Sequence, residues 1–398
     1  MTRRLARAAL LALGLSLAGC ALQPSPGQPP TMGLQPVSME QLPGWQSDRV
    51  AAGFAAFQES CTRLLTLPAD QKLGGSGLAG TLGGTAGLWT KTCAAARSVP
   101  PAQEAAVRTF LLHYLEAYRV SANGDATVRY SGYFEPEVTG SLRETAHYDT
   151  PLYRRPPDLV QADLGNFRPD LAGRLIAGRV RNGRLVPYFT RAEIVAGALQ
   201  GQHLEIAWLA NPLNVFVLQI EGAGRIRLPD GQLLRVGYDG ENGQPYVPIG
   251  RILAGRGAIS RNAITLGAIV AWLKAHPGHA QAMMDENPSY VFFRILNGVP
   301  PDMGPPGALG VPLAPQRALA VDRRFIPLGA PVWVATTNPE TGRPLQHLMV
   351  AEDIGGAIAT PLRADIFFGW GTRAEALAGR MNERGQAYVL LPRAAAKP

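Results

Sequence analysis

Apolar side chains recur at helical spacing in two N-terminal stretches, Val50, Phe54, Phe57, Cys61 and Leu64, then Val107, Phe110, Leu111, Tyr114, Leu115 and Tyr118. Both predict amphipathic helices. Between them lies Gly74-Gly75-Ser76-Gly77-Leu78-Ala79-Gly80, which contains a Gly-x-Gly-x-x-Gly match. No strand precedes it and no βαβ unit follows, so it reads as a surface loop rather than a nucleotide site. From Val128 the period shortens to β-rich runs broken by Gly, Pro, Asn-Gly and Asp-Gly, such as Val215 to Glu221 before Asp230-Gly231. Helices are expected at Arg191 to Leu199, where Thr190 and Glu193 have capping-box spacing, and around Ala263 to Ala275. Toward the C-terminus, Pro331 to Ala335, Leu348 to Ala351 and Tyr388 to Leu391 read as strands and Arg373 to Arg384 as a helix. Strands alternate with turns rather than crossover helices. That pattern argues against a doubly wound sheet and favours a mainly β, barrel-like chain with N-terminal helices.

The first residues have a different texture. Arg3, Arg4 and Arg7 precede an apolar run, Ala8 to Leu17, too short to span a bilayer, and Leu17-Ala18-Gly19-Cys20 closes it. This is a signal peptide, expected over 1–19, whose end resembles the bacterial lipobox. The resemblance implies cleavage before Cys20 and acylation of that cysteine, so that lipid provides the anchor. With no Asp beside Cys20, the expected location is the outer membrane, facing the periplasm. The Gln/Pro/Ser/Gly-rich stretch that follows predicts a flexible tether over 20–37.

Length allows two domains at about 150 residues each. Without the three signal arginines the formal charge falls from +8 to +5 (8 − 3). An anionic partner is compatible with that charge, but no basic cluster with interleaved aromatics points to nucleic acid. Cys61 and Cys93 remain as an even pair in a disulfide-permissive compartment and are expected to be bonded, two buried free thiols being the alternative.

Familiar hydrolase signatures are missing: there is no Gly-x-Ser-x-Gly elbow and no His-Glu-x-x-His zinc helix. His276 and His279 flank Pro277 in what reads as a solvated turn, not a metal site. The carboxylates say more. Leu348 to Ala351 runs into Glu352-Asp353-Ile354-Gly355-Gly356, and a short connection leads to Arg363-Ala364-Asp365-Ile366-Phe367-Phe368. Two aspartates are therefore expected on adjacent β segments. Among Ile366, Phe367 and Phe368, Asp365 can be partly desolvated and hold a proton for general-acid work. On the residues alone, aspartates capping barrel turns remain an equal alternative.

Val321-Asp322-Arg323-Arg324-Phe325-Ile326-Pro327-Leu328-Gly329, the Glu352-Asp353 segment through Ile358, and Arg363 to Phe367 resemble the three-aspartate "3D" domain. Upstream, Gly132-Tyr133-Phe134-Glu135-Pro136, Pro187-Tyr188-Phe189-Thr190-Arg191, Val215 to Gly224, Asn242 to Arg251 and Asn287-Pro288-Ser289-Tyr290-Val291-Phe292-Phe293 resemble the successive motifs of the membrane-bound lytic murein transglycosylase A family. The resemblance implies cleavage of the bond between N-acetylmuramic acid and N-acetylglucosamine in peptidoglycan glycan strands without water, leaving 1,6-anhydromuramyl ends. The implied fold is a double-psi β-barrel over 38–137 plus 296–398, its 3D region at about 310–392, with a second β-barrel-like domain, 138–295, inserted and a substrate groove between them. Asp365 matches the family's single catalytic acid/base, and Asp353 and Asp322 its acidic companions. One acid suffices because the muramyl C6 hydroxyl replaces water as nucleophile.

Sugar contacts are expected from Tyr133, Glu135, Gln219, Glu221, Gly222, Gly224, Gly355 and Gly356, with Tyr133 and Phe134 as either a stacking surface or core. In the expected strand Gln219 to Gly224, Glu221 and Ala223 stand where the family carries Gln and Ser. Arg191 and Arg251 are expected to pair with surface acids or with stem-peptide carboxylates. No metal, nucleotide or other cofactor is implied. Wall-remodelling proteins are possible partners. The alternatives are a β-1,4-glycan hydrolase on the same barrel and a non-catalytic murein-binding lipoprotein.

Overall fold

A computed structural model of the chain describes residues 31–168, 171, 175–261, 264–356 and 358–393. Cys20, the signal segment and most of the expected tether lie outside the described residues, as does Ala357.

The first element corrects the tether. β1 (Met32–Val37) is a strand, paired antiparallel with β2 (Leu115–Ala122) from Met32 opposite Ala122 to Val37 opposite Ala117. Its short length hid an alternation: Met32 and Leu34 pack on the core while Gln35 faces away, and Val37 joins the core at the strand's end. Four helices separate the two strands: α1 (Val50–Leu64), α2 (Gly77–Gly83), α3 (Ala86–Ala96) and α4 (Glu104–Tyr114). The predicted α1 stripe, Val50, Phe54, Phe57, Cys61 and Leu64, is wholly buried. Cys61 is disulfide-bonded to Cys93 of α3, as expected. α2 corrects the glycine-rich loop: its second half is helical, packed near β17 and held by the Trp89 indole N–H donating to Gly83 O. Gly53 brings α1 close to the sheet, since a Cβ there would meet Leu348 O at 2.2 Å.

β3 (Val128–Glu135) leads into a long middle segment. There β4 (Glu137–Ser141), β5 (Thr150–Tyr153), β6 (Val160–Asp163), β7 (Leu175–Arg181), β8 (Arg184–Pro187), β9 (Glu205–Leu209), β10 (Ala223–Arg227), β11 (Leu233–Glu241) and β12 (Val291–Ile295) form two sheets. One has the order β12-β11-β10-β4-β9-β5, and a bridge between Arg154 and Phe293 draws its two edges together. The other is β6-β7-β8. The middle segment also holds α5 (Arg191–Glu193), continued by a π-turn, α6 (Pro212–Glu221), α7 (Ile249–Gly255), α8 (Leu266–Ala275) and α9 (Pro277–Asp285). α5 starts with the predicted Thr190/Glu193 capping box. α6 overturns the strand expected at Val215 to Glu221. Asn211 caps it, Pro212 occupies the first turn and Gly222, at φ 76°, ends it. With α7, α8 and α9 it buries Phe216, Ile249, Leu253, Leu273, Met283 and Met284, so the chain is mixed α/β rather than mainly β.

The last elements are β13 (Ala318–Val321), β14 (Pro331–Thr337), β15 (Pro344–Ile354), β16 (Arg363–Trp370), α10 (Gly371–Arg380) and β17 (Asn382–Pro392). The strands run β17-β14-β15-β13-β16-β3, and β3 pairs again with β17. Six strands thus close into a barrel, drawn from both sides of the middle segment. Two of its pairs are parallel, β13 with β15 and β3 with β16; the rest are antiparallel. No described helix is long and apolar enough to cross a membrane.

Candidate active site

The two aspartates are not on neighbouring strands. β13 lies between them: Asp353 of β15 and Asp365 of β16 both stand opposite Ala320, and on the far side of β16 Asp365 stands opposite Ser131 of β3. Residues directly opposite share a face. At about 4.8 Å per strand the two aspartate Cα atoms are roughly 9–10 Å apart, with a small, buried Ala320 between them.

The two carboxyls are held differently. Asp353 Oδ1 accepts from Ala308 N–H (3.0 Å) and Oδ2 from the Tyr133 hydroxyl (3.1 Å). Burial raises this carboxyl to about 6, against the lowering effect of those hydrogen bonds, and the Asp365 charge pushes it further up. Asp365 Oδ1 accepts a short hydrogen bond from the Ser131 hydroxyl and lies 3.6 Å from Arg363 Nε; its Oδ2 has no hydrogen-bond partner among the described residues. With 19% of its side chain exposed, Asp365 has an oxygen left for a ligand.

Tyr133 therefore belongs to the site, packed at 5.2 Å from the Phe367 ring, and its phenol is held well above the usual range by burial and then by Asp353. Phe134, the other half of the aromatic pair, is core. Beneath the row, Glu352 is buried and accepts from the Ser60 hydroxyl of α1 at 2.6 Å; burial pushes it well above the carboxylate range. Its other oxygen has no partner among the described residues.

Glu221, last residue of α6, reaches the site from the middle segment and accepts the Phe134 N–H at 3.0 Å. Burial raises it to about 8, offset by that hydrogen bond, with Asp365 and Glu375 adding to the rise. Tyr246 stands nearby: burial raises its phenol, then the Glu221 charge, against the lowering effect of Arg363, Arg191 and Arg251. Tyr246 and Arg363 lie within motifs that carry the resemblance and Ser131 just outside one, but no local pattern assigns any of them a role, because only the strand register and the approach of the middle segment bring them here.

Several expected sugar contacts are engaged elsewhere. Glu135 is fully buried in a double ion pair, 2.9 Å from both Arg225 Nε and Arg235 Nη2, so it is not open to a sugar. The two guanidiniums also donate to Pro300, Pro301 and Met303 carbonyls, and Arg225 lies 3.8 Å over the Trp370 ring. Gln219 is buried, accepting from Arg191 and donating to Val291 O. Arg191 makes no ion pair among the described residues; it donates to Asn287 O and Ser289 O inside the fold. Arg251 is exposed. Gly222 ends α6, and Gly224 is a packing position, a Cβ there falling 2.0 Å from Leu218 Cδ2. Gly355 and Gly356 lie in the connection after β15. Asp322 is tied to Arg324, whose guanidinium and N–H donate to it, and shapes the turn after β13 rather than joining the row. No group of three His, Cys, Asp or Glu side chains among the described residues could hold a metal ion.

Two family models match the chain, the MltA specific insert domain over residues 129–294 and the 3D domain over 317–391. A membrane-bound lytic murein transglycosylase A from Vibrio cholerae is 34% identical over 208 residues, 50% of this chain and 55% of that protein. The Escherichia coli protein of the same name is 31% identical over 276 residues, 68% of this chain and 67% of its own length. The crystal structure of a membrane-bound lytic murein transglycosylase from Agrobacterium tumefaciens superposes with a TM-score of 0.80 at 32% identity, covering 91% of this chain and 98% of that one.

Proposed function

Since this chain belongs to the membrane-bound lytic murein transglycosylase A family, we propose that it cleaves the β-1,4 bond between N-acetylmuramic acid and N-acetylglucosamine in peptidoglycan glycan strands, with Asp365 as the single general acid and base. One observation carries the assignment: of the two carboxyls opposite Ala320, only Asp365 keeps an oxygen without a protein partner among the described residues. Protonated, it gives its proton to the glycosidic oxygen as the bond to the leaving sugar breaks. As carboxylate, it then takes the proton of the muramyl C6 hydroxyl as that oxygen closes the 1,6-anhydro ring. Ser131 and Arg363 steady the carboxylate between the two steps.

A water-using inverting mechanism would require a second carboxylate free to activate water. Asp353 suits that role poorly, because both its oxygens already accept protein hydrogen bonds. Its role is positional, fixing Tyr133 and the segment at Ala308. We assign sugar contact to Tyr133, Glu221 and the Gly355-Gly356 connection, and no longer to Glu135 or Gln219.

The same reading takes the closed barrel as double-psi, with the 138–295 segment inserted as a second domain and the glycan lying between them. Its support is the two parallel pairs, β13 with β15 and β3 with β16, and the approach from the inserted segment of Glu221 to Asp365 and of Tyr246 to Glu221 and Arg363. Lipid on Cys20 places the enzyme on the periplasmic face of the outer membrane, where wall-remodelling proteins are potential partners. Purified murein digested by the chain starting after Cys20 should yield anhydro ends by mass spectrometry. Reducing ends would indicate hydrolysis, and no cleavage would leave a binding module.

A further inference from the structure

A second recess lies away from the aspartates. Where β1, β2 and β17 run side by side, a cleft of about 650 Å³ is lined by Gln35, Arg119, Ser121, Thr127, Arg384 and Gln386, with Asp125 on its rim. The strand register explains the lining. Gln35 stands opposite Arg119, Gly33 opposite Ser121 and Tyr388 opposite Arg119, so these polar side chains share one face of the sheet. Thr127 precedes Ser131 by four residues, which puts the cleft roughly 13 Å along β3 from the catalytic row.

Its arginines differ from the others near the core. Arg108, Arg191, Arg225, Arg235 and Arg317 are held by carboxylates or carbonyl groups. Arg119 and Arg384 make no ion pair and no side-chain hydrogen bond among the described residues, and Arg119 Nε is buried without a partner. Asp125 offsets them only in part: it accepts the Thr127 N–H at 2.8 Å and interacts electrostatically with Arg384, but one carboxylate against two guanidiniums leaves a net positive cleft. Two guanidiniums with amide and hydroxyl groups between them suit a phosphate oxyanion.

The position of the cleft selects the source. Met32, the first residue of β1, stands opposite Ala122, at the turn whose Gly124 and Asp125 line the cleft. Only eleven residues, twelve Cα steps (32 − 20), separate it from Cys20, a reach of at most about 43 Å. We propose that the cleft seats the phosphate of an anionic lipid headgroup, orienting the anchored enzyme on its membrane. The inference rests on reading Cys20 as the lipid anchor.

The test uses the chain starting after Cys20, without lipid, mixed with phosphatidylcholine vesicles with and without phosphatidylglycerol. The protein should sediment with the anionic vesicles only, and inorganic phosphate should compete. Arg384→Gln, an exposed change that spares the fold, should weaken vesicle binding about fivefold, with a further loss in Arg119→Gln/Arg384→Gln. Cleavage of soluble glycan by Arg384→Gln should be unchanged. Equal binding to both vesicle types, or binding that survives the double variant, would overturn the proposal. So would phosphate binding with no vesicle binding, which would make the cleft a site for free anions. The mass of the N-terminal peptide from membranes tests the lipid on Cys20 separately, so failure of the anchor and failure of the cleft are distinguishable.

Discussion

Asp353 and Asp365 stand opposite the same residue, Ala320, from its two sides in the barrel wall. The site's geometry therefore depends on a third strand that contributes no functional group. Its small side chain leaves room for both carboxyls.

Ala320→Val should lower kcat by about 10- to 100-fold, because a displacement of about 1 Å at reacting groups is costly. The overpacking itself should cost about 1–3 kcal/mol of stability. Kinetics on murein alongside thermal melting measures both. Full activity in a folded Ala320→Val protein would show that the spacing across β13 is irrelevant.

Glu135 has a structural role that opposes its expected place as a sugar ligand. Glu135→Gln leaves Arg225 and Arg235, only 6% and 11% exposed, without their charge partner. The expected loss is about 3–5 kcal/mol of unfolding free energy. A variant of normal stability but weakened glycan binding would restore the sugar-contact reading.

Glu221 gives a pH signature. Its folded carboxyl is raised to about 8 from an ordinary 4.5. Between those values the folded state binds the extra proton, so stability falls as pH rises through that window and the full penalty is present above it. Glu221→Gln cannot ionise. The variant should match the wild type near pH 4 and exceed it by at least about 1 kcal/mol near pH 9, each pKa unit being worth about 1.4 kcal/mol and partial exposure reducing the total. Denaturant titrations at the two pH values check this; parallel curves would contradict it.

The parts of the fold legible in the chain are those set by local chemistry. The α1 stripe, the Thr190 capping box and the C-terminal strands follow from spacing and capping, and they form where expected. α6 was legible too, through Asn211-Pro212 and Gly222, but the apolar run Val215 to Ile220 has the length and β-branching of a strand, an ambiguity that periodicity does not resolve. Motifs pointed to Asp353 and Asp365. Their separation by β13, the contact of Asp365 with Ser131 and the pairing of Glu135 with Arg225 and Arg235, 90 and 100 residues away, are tertiary facts that no local pattern encodes.

In the proposed mechanism Asp365 alone moves the protons. The most direct measurement compares Asp365→Asn with the wild type on purified murein, reading product ends by mass spectrometry and glycan binding in parallel. The wild type should give anhydro ends, and Asp365→Asn a turnover lower by about 10²- to 10⁴-fold with binding retained. Comparable turnover by Asp365→Asn, or reducing ends from the wild type, would contradict that mechanism.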